Sequence, residues 1–184
     1  MEDFMAEKKT IGFICGSLRD GSINRQLTGA LSQHYEDAGF DCRMIDLHDY
    51  PLPIYNGDLD QPGTLRPLMD AMNDCDGIVI VTPEYNGGLP ALVKNTIDWI
   101  TTVDTEPFTS NVFGVAACTP GPLSGVVCMR TMALLLMRIG GRVCPTFVGI
   151  GNASSSFDAE GRISHDLGKD LTDKQIADMK RLLG

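Results

Sequence analysis

The segment Asp76-Gly77-Ile78-Val79-Ile80-Val81-Thr82 decides the fold. It is a run of β-branched residues bounded by Gly77 and Pro83, with no polar alternation. A strand of that kind is buried on both faces, as in a parallel sheet covered by helices. The same pattern opens the chain at Thr10-Ile11-Gly12-Phe13-Ile14-Cys15, which ends at Gly16. Between these two lie an amphipathic helix over Ile23–Ala38, stopped by Gly39, and a second strand over Cys42–Asp46. Leu47 to Pro67, with four prolines and two glycines, reads as a long loop, and Leu68–Cys75 as a short helix. Beyond the decisive strand the spacing predicts a helix over Leu92–Val103 and a fourth strand over Val112–Cys118. An apolar helix over Ser124–Ile139 and a fifth strand over Val143–Ile150 follow. A last helix over Asp173–Leu182 is capped by Thr172. Five strands alternating with helices give an α/β fold, a parallel sheet with helices on both faces. Repeats, linkers and low-complexity tracts are absent, so residues 1–184 are expected to form a single domain.

Composition bounds the partners. Lys and Arg number 15 against 24 Asp and Glu, a formal charge of −9. That balance argues against nucleic acid, which demands basic surface, and against an anionic membrane. A hydrophobic fraction of 43% supplies a core. The start, Met1-Glu2-Asp3-Phe4-Met5-Ala6-Glu7, lacks a basic region followed by an apolar stretch, and Met132–Met137 is far too short to span a bilayer. The six cysteines form no C-x-x-C pair and no metal-ligand spacing. They read as buried thiols of a protein kept reduced in the cytoplasm. Charge is uneven along the chain. Lys8 to Arg25 holds four basic residues and one acidic, whereas Gln33 to Gln61 holds seven acidic residues and only Arg43.

Ligands of open parallel sheets bind beyond the carboxyl ends of the strands. After the first strand comes Gly16-Ser17-Leu18-Arg19-Asp20-Gly21-Ser22-Ile23-Asn24-Arg25, small and hydroxyl residues with a guanidinium at a helix N-terminus. Backbone amides, the helix dipole and side-chain donors there suit a phosphate. The plainer alternative is a helix cap by Ser22 with a solvated Arg19. Neither G-x-G-x-x-G nor G-x-x-x-x-G-K-[ST] occurs, which disfavours a standard dinucleotide site and a P-loop. After the third strand, Thr82-Pro83-Glu84-Tyr85-Asn86-Gly87-Gly88 offers an aromatic on a shaped loop, suited to a flat heteroaromatic ligand. A turn with an incidental Tyr85 is the alternative. Lys94 and Asp98 read as a surface pair one helical turn apart, and Trp99 as core or interface. The third loop, Thr119-Pro120-Gly121-Pro122-Leu123-Ser124-Gly125, is a weaker candidate for another wall.

Taken together, the first two loops resemble the NADPH-dependent FMN reductase family of flavodoxin-like proteins, which includes quinone, chromate and azo-dye reductases. That family carries G-S-x-R-x-x-S-x-N after the first strand, matched by Gly16, Ser17, Arg19, Ser22 and Asn24. It also carries P-E-Y-N and then K-N-x-x-D-W, matched by Pro83–Asn86 and by Lys94, Asn95, Asp98 and Trp99. The resemblance implies a flavodoxin-like three-layer sandwich with strand order 2-1-3-4-5. It implies FMN as cofactor, its phosphate held by Ser17, Arg19, Ser22 and Asn24, with Ile23 also among the cofactor-binding residues. Pro83, Glu84, Tyr85 and Asn86 would line its ring, and Thr119 and Gly121 would complete the pocket. The chain departs from the family pattern at Gly87-Gly88, where Ser is common before Pro, and at Ser124-Gly125, where Gly-Gly is common.

The chemistry implied is hydride transfer from NADPH or NADH to the flavin. A ping-pong second half then delivers electrons to a quinone, free flavin, azo compound or metal oxyanion. The cofactor carries the reaction, so no catalytic triad, metal site or catalytic side chain is expected. Glu84 reads as a loop carboxylate bonded to backbone rather than a general acid. His34, His48 and His165 are expected to lie away from all three loops. A homodimer or homotetramer is implied, with the apolar Ser124–Ile139 helix as one place for contact. The rival readings are a flavodoxin-type single-electron carrier and a flavin-binding sensor without turnover.

Overall fold

A computed structural model describes residues 8–184. Strands β1 (Thr10–Cys15), β2 (Asp41–Ile45), β3 (Gly77–Val81) and β4 (Val112–Cys118) pair in parallel in the order β2-β1-β3-β4. The outer edge beyond β4 is shared by two short strands, β5 (Arg142–Val143) and β6 (Val148–Ile150), each parallel to β4. This is the flavodoxin-like order 2-1-3-4-5, with the fifth strand divided.

Alternate residues feed two cores, as the twofold side-chain period of a strand demands. Ile11, Phe13, Val79, Val81 and Ala116 face one side, where α1 (Ile23–Asp37) brings Leu27, Leu31 and Tyr35. The closing helix α6 (Asp166–Leu183) adds Ile176 and Met179 to that core. Ile14, Ile78, Ile80, Phe113 and Val115 face the other side. They meet α2 (Leu65–Asn73), α3 (Ala91–Thr101), the short α4 (Glu106–Thr109) and α5 (Val126–Arg138) through Leu68, Ile97, Phe108 and Met132. All five residues of β3 are buried, which is why this one segment revealed the architecture.

Three elements differ by more than two residues from those the sequence predicts, and the short α4 has no predicted counterpart. The fifth strand is not continuous over Val143–Ile150. Pro145 has no amide to give to the ladder, and the buried Gln175 of α6 fills the gap. Its Nε2 donates to the carbonyls of Val115 (3.0 Å) and Thr146 (2.9 Å). Its Oε1 accepts from the Tyr35 hydroxyl at 3.1 Å. The last helix begins at Asp166, seven residues before the predicted start, with His165 as its cap. Thr172 is interior, its hydroxyl donating to the carbonyl of Gly168. Gly168, which reads as a breaker, serves as a close approach: a Cβ there would stand 2.7 Å from His165 and from Ile163. Finally, α2 starts at Leu65, because Pro67 falls in the first turn, where a helix tolerates proline.

Candidate functional site

Three strand ends on the same edge of the sheet bring the three loops together. β1 leads into Gly16, whose amide donates to the carbonyl of Val81 at 2.8 Å. A Cβ on Gly16 would sit 2.6 Å from Val93 Cγ2, so only glycine lets this turn approach α3 so closely. The loop then folds on itself. Ser17 Oγ accepts from the Arg19 amide at 3.4 Å, and the Ser22 side chain caps α1 by accepting from the Arg25 amide at 3.4 Å. The first turn of α1 carries no acidic residue, so the positive end of its dipole is uncompensated.

These loops enclose a cleft of about 140 Å³. Ser17, Arg19, Ser22, Ile23 and Asn24 form one side, Pro83, Glu84 and Tyr85 another, and Thr119 a third. Pro120 of the third loop also lines it, as does Cys118, which carried no functional signal in the sequence. Asn86 and Gly121 lie outside this lining. Asn86 (φ +52°) and Gly87 (φ +74°) occupy the centre of a tight turn closed by mutual Tyr85–Gly88 backbone bonds. That is the turn an Asn-Gly dipeptide encodes, and it presents Tyr85 at 53% exposure. Gly121 instead uses its carbonyl to hold the loop, accepting from the Thr119 hydroxyl at 2.9 Å.

Asn24 lines the cleft, and its side-chain amide also pairs with the backbone of Cys118. Nδ2 donates to the Cys118 carbonyl at 2.9 Å, and Oδ1 accepts from the Cys118 amide at 2.8 Å. It latches α1 to the end of β4 with one Nδ2 hydrogen, so Ser17, Ser22, Arg19 and the second Nδ2 hydrogen of Asn24 are the side-chain donors of this wall. Glu84 accepts at one carboxylate oxygen from the amides of Val127 (3.1 Å) and Cys128 (3.0 Å). It thereby caps α5, whose own N-cap, Gly125, offers no side chain. The expectation of a carboxylate bonded to backbone thus holds, and the bond ties the second loop to the third. Ser124 (φ +56°) and Gly125 (φ +70°) are both left-handed, which explains why glycines suit both positions.

The charge distribution resolves further. Lys8 pairs with Asp41 at 2.7 Å, Lys9 with Asp76 at 2.9 Å and Arg25 with Asp46 at 2.7 Å. Arg25 also reaches the second Asp46 oxygen at 3.2 Å, and this guanidinium holds the Asp46 carboxyl well below the usual carboxylate range. Of the four basic residues in the first segment, Arg19 alone has no carboxylate within 4 Å among the described residues. Among the described residues its guanidinium makes one hydrogen bond, Nη2 to the Gly21 carbonyl, long at 3.4 Å. A guanidinium free of carboxylates, two buried serines and an open helix N-terminus form a donor set that fits a phosphate monoester. The exposed Tyr85 ring beside it fits a planar ligand.

One sequence expectation fails here. His48 is not remote from the loops: its Nε2 lies 3.1 Å from the carbonyl oxygen of Leu18. Asp46, from the acidic Gln33–Gln61 segment, grips both Arg25 and His48. Sequence separation hid both contacts, because β2 and β1 are adjacent in the sheet but distant in the chain. Elsewhere the expectations hold. Lys94 pairs with Asp98 at 2.6 Å, and Trp99 is 2% exposed. Its indole donates to the Pro53 carbonyl at 2.7 Å, where Asn95 Nδ2 also donates at 2.9 Å, pinning the long loop. All six cysteines are free, and burial pushes the Cys118, Cys128 and Cys144 thiols up to about 12. They are not poised nucleophiles. Among the described residues no group of His, Cys, Asp and Glu is arranged to hold a metal, and no helix is long and apolar enough to cross a membrane.

Known proteins share this arrangement. A 30% identical quinone reductase of Escherichia coli (strain K12) aligns over 152 residues, 79% of each chain. A 2-hydroxy-1,4-benzoquinone reductase of Burkholderia sp is 38% identical over 105 residues, 56% of this chain and 54% of that one. Among solved structures, the flavoenzyme NAD(P)H:(acceptor) oxidoreductase FerB of Paracoccus denitrificans superposes with a TM-score of 0.78. It is 25% identical and covers 94% of this chain and 98% of its own. The family model described as NADPH-dependent FMN reductase matches residues 10–155, a span that contains every loop of the cleft. The chain belongs to the NADPH-dependent FMN reductase family.

Proposed function

We propose that residues 1–184 form a single FMN-binding domain that reduces a small quinone-class acceptor at the expense of NADPH or NADH. As a member of its family the chain is an FMN-dependent oxidoreductase using a reduced nicotinamide. The observation that carries the finer reading is one cleft lined both by Arg19, which has no carboxylate within 4 Å among the described residues, and by the exposed Tyr85. Ser17, Arg19, Ser22 and the N-terminus of α1 receive the phosphate, and Ile23 packs beside them. Pro83, Glu84, Tyr85 and Asn86 shape the surface against which the ring lies, and Thr119 and Gly121 fix the loop on the far side. FMN held by these residues would supply the two-electron hydride chemistry between nicotinamide and acceptor, for which we propose a ping-pong order.

The residues of the chain supply binding, orientation and a fixed electrostatic frame. A quinone is favoured among acceptors because two relatives of this chain are named for quinone reduction. Free flavin, azo compounds and metal oxyanions are the alternatives that a substrate panel separates. A homodimer or homotetramer is supported by the apolar stripe that α5 and the turn before it leave exposed, Leu123, Val127, Leu134 and Met137. Six free cysteines support a reducing compartment, the cytoplasm.

The test is an FMN titration followed by steady-state turnover. Saturable FMN binding, nicotinamide oxidation coupled to quinone loss, and parallel double-reciprocal lines are the expected results. Binding without turnover would identify a sensor, and turnover limited to one-electron acceptors would identify a carrier. Either outcome sinks the proposal.

A further inference from the structure

We infer that His48 is a positioning residue for the phosphate-binding loop, an inference that rests on the FMN site proposed above. The residue follows β2, in a stretch that carried no functional signal in the sequence. Its ring nevertheless joins three parts of the chain. Nε2 stands 3.1 Å from the Leu18 carbonyl oxygen, Nδ1 stands 2.9 Å from Asp46 Oδ1, and Arg25 Nη2 lies 3.0 Å from the same Nδ1. Asp46 Oδ1 also accepts from the His48 amide at 3.1 Å, which turns the backbone so that the ring faces the loop.

Donor chemistry fixes the role. A carbonyl oxygen can only accept, so Nε2 carries a hydrogen and donates to Leu18. Nδ1 is satisfied in either state of the ring. Bare, it accepts from Arg25; protonated, it donates to Asp46. The bond to Leu18 is therefore kept in both states, and His48 acts as a brace rather than a switch.

The loop needs such a brace. Its first residue is anchored by the Gly16–Val81 bond, and its far end by the Asn24–Cys118 latch. Between them, the hydrogen bonds of Ser17 Oγ, Arg19 and Gly21 stay within the loop itself. Among the described residues, the His48 bond is the only one that ties Leu18–Gly21 to another element. This segment carries Arg19, the one basic residue of the loop that no carboxylate holds. Releasing Leu18 frees the backbone on both sides of that peptide, and Ser17 and Arg19 then lose their fixed spacing before any ligand arrives. The cost falls on phosphate recognition. It does not fall on the core, because the His48 side chain is 46% exposed.

The experiment measures dissociation constants for FMN and for riboflavin, which lacks the phosphate, in the wild type, His48→Ala, His48→Gln and His48→Asn. His48→Ala is expected to weaken FMN about tenfold, the scale of one well-made hydrogen bond. Riboflavin affinity should stay within about twofold, since the ring wall is untouched. His48→Gln extends an amide to the position of Nε2 and should recover FMN affinity to within about threefold. His48→Asn reaches only as far as Nδ1 and should bind like the alanine variant. A brace of the loop alone predicts little change in the flavin-free melting temperature. Unchanged FMN affinity in His48→Ala overturns the inference, as does equal weakening of FMN and riboflavin, or a glutamine variant no better than alanine. A wild type that fails to bind FMN at all overturns the proposed function, and this inference with it.

Discussion

The two walls of the cleft are built on different principles. The phosphate wall, Gly16 to Arg25, acts through side chains, and its charge is arranged by pairing Arg25 with Asp46 while Arg19 has no carboxylate within 4 Å among the described residues. The ring wall, Pro83–Gly88 with Thr119–Gly125, acts through backbone shape. Left-handed residues at Asn86, Gly87, Ser124 and Gly125 set its turns, and Glu84 pins its loop to the first turn of α5, which follows the other. A net charge of −9 opposes an anionic ligand at long range, so the first wall must concentrate its attraction at one helix end. The second wall faces a largely neutral ring and needs rigidity more than charge. Substitutions in the first wall should therefore change affinity at constant stability, and those in the second should change stability first.

The largest effect expected is at Gly125. Its φ of +70° disfavours any Cβ, and a Cβ there would lie 2.6 Å from that of Ala117. Gly125→Ala should destabilise the fold by about 2–4 kcal/mol, combining left-handed strain with overpacking. Thermal or denaturant unfolding checks this, and a variant as stable as the wild type would remove the shape argument for the ring wall. Next comes Arg19→Ala in the opposite wall. It should weaken FMN binding by about 1.5–3 kcal/mol, the scale of a charge-assisted hydrogen bond, while the melting temperature without flavin stays put. Calorimetric titration reads it, and an unchanged affinity would take Arg19 out of the site.

The same contrast governs what the sequence could disclose. The sheet was legible because β3 and β4 are uniformly apolar, a pattern that only double-sided burial explains. The phosphate wall was legible because its chemistry sits in contiguous side chains with a recognisable spacing. The ring wall was legible as the P-E-Y-N motif, but not the tight Asn-Gly turn through which Asn86 shapes it. Nor was the latch that Asn24 makes to Cys118 across 94 residues of chain. His48 and Asp46 were passed over for the same reason: their partners are sheet neighbours, and strand order is not written in local sequence. The split fifth strand needed Gln175, again a contact distant in sequence.

A subtler test of the ring wall removes its pin. Glu84→Ala leaves the first amides of α5 without the carboxylate that now caps them, and no side chain of the helix itself replaces it. Loss of such a cap costs about 1 kcal/mol. Glu84→Gln, which keeps an acceptor oxygen but no charge, should lose roughly half as much. Unfolding midpoints of both variants check the order, and identical midpoints would assign the cap to shape alone.

The smallest expected effect lies behind the phosphate wall and depends on pH. Arg25 holds the Asp46 carboxyl below its usual range, so the folded state prefers the charged form more than the unfolded chain does. A depressed folded value means that the stabilisation is complete above the unfolded aspartate value of about 3.9 and fades as pH falls below it. Side chains about one third exposed, 35% for Arg25 and 32% for Asp46, keep the effect modest. Asp46→Asn should therefore be less stable than the wild type at neutral pH, with the gap closing between about pH 4 and the onset of acid unfolding. A gap that stayed constant across that range would show that the pair holds geometry without contributing charge. The phosphate wall would then resemble the ring wall more closely than its composition suggests.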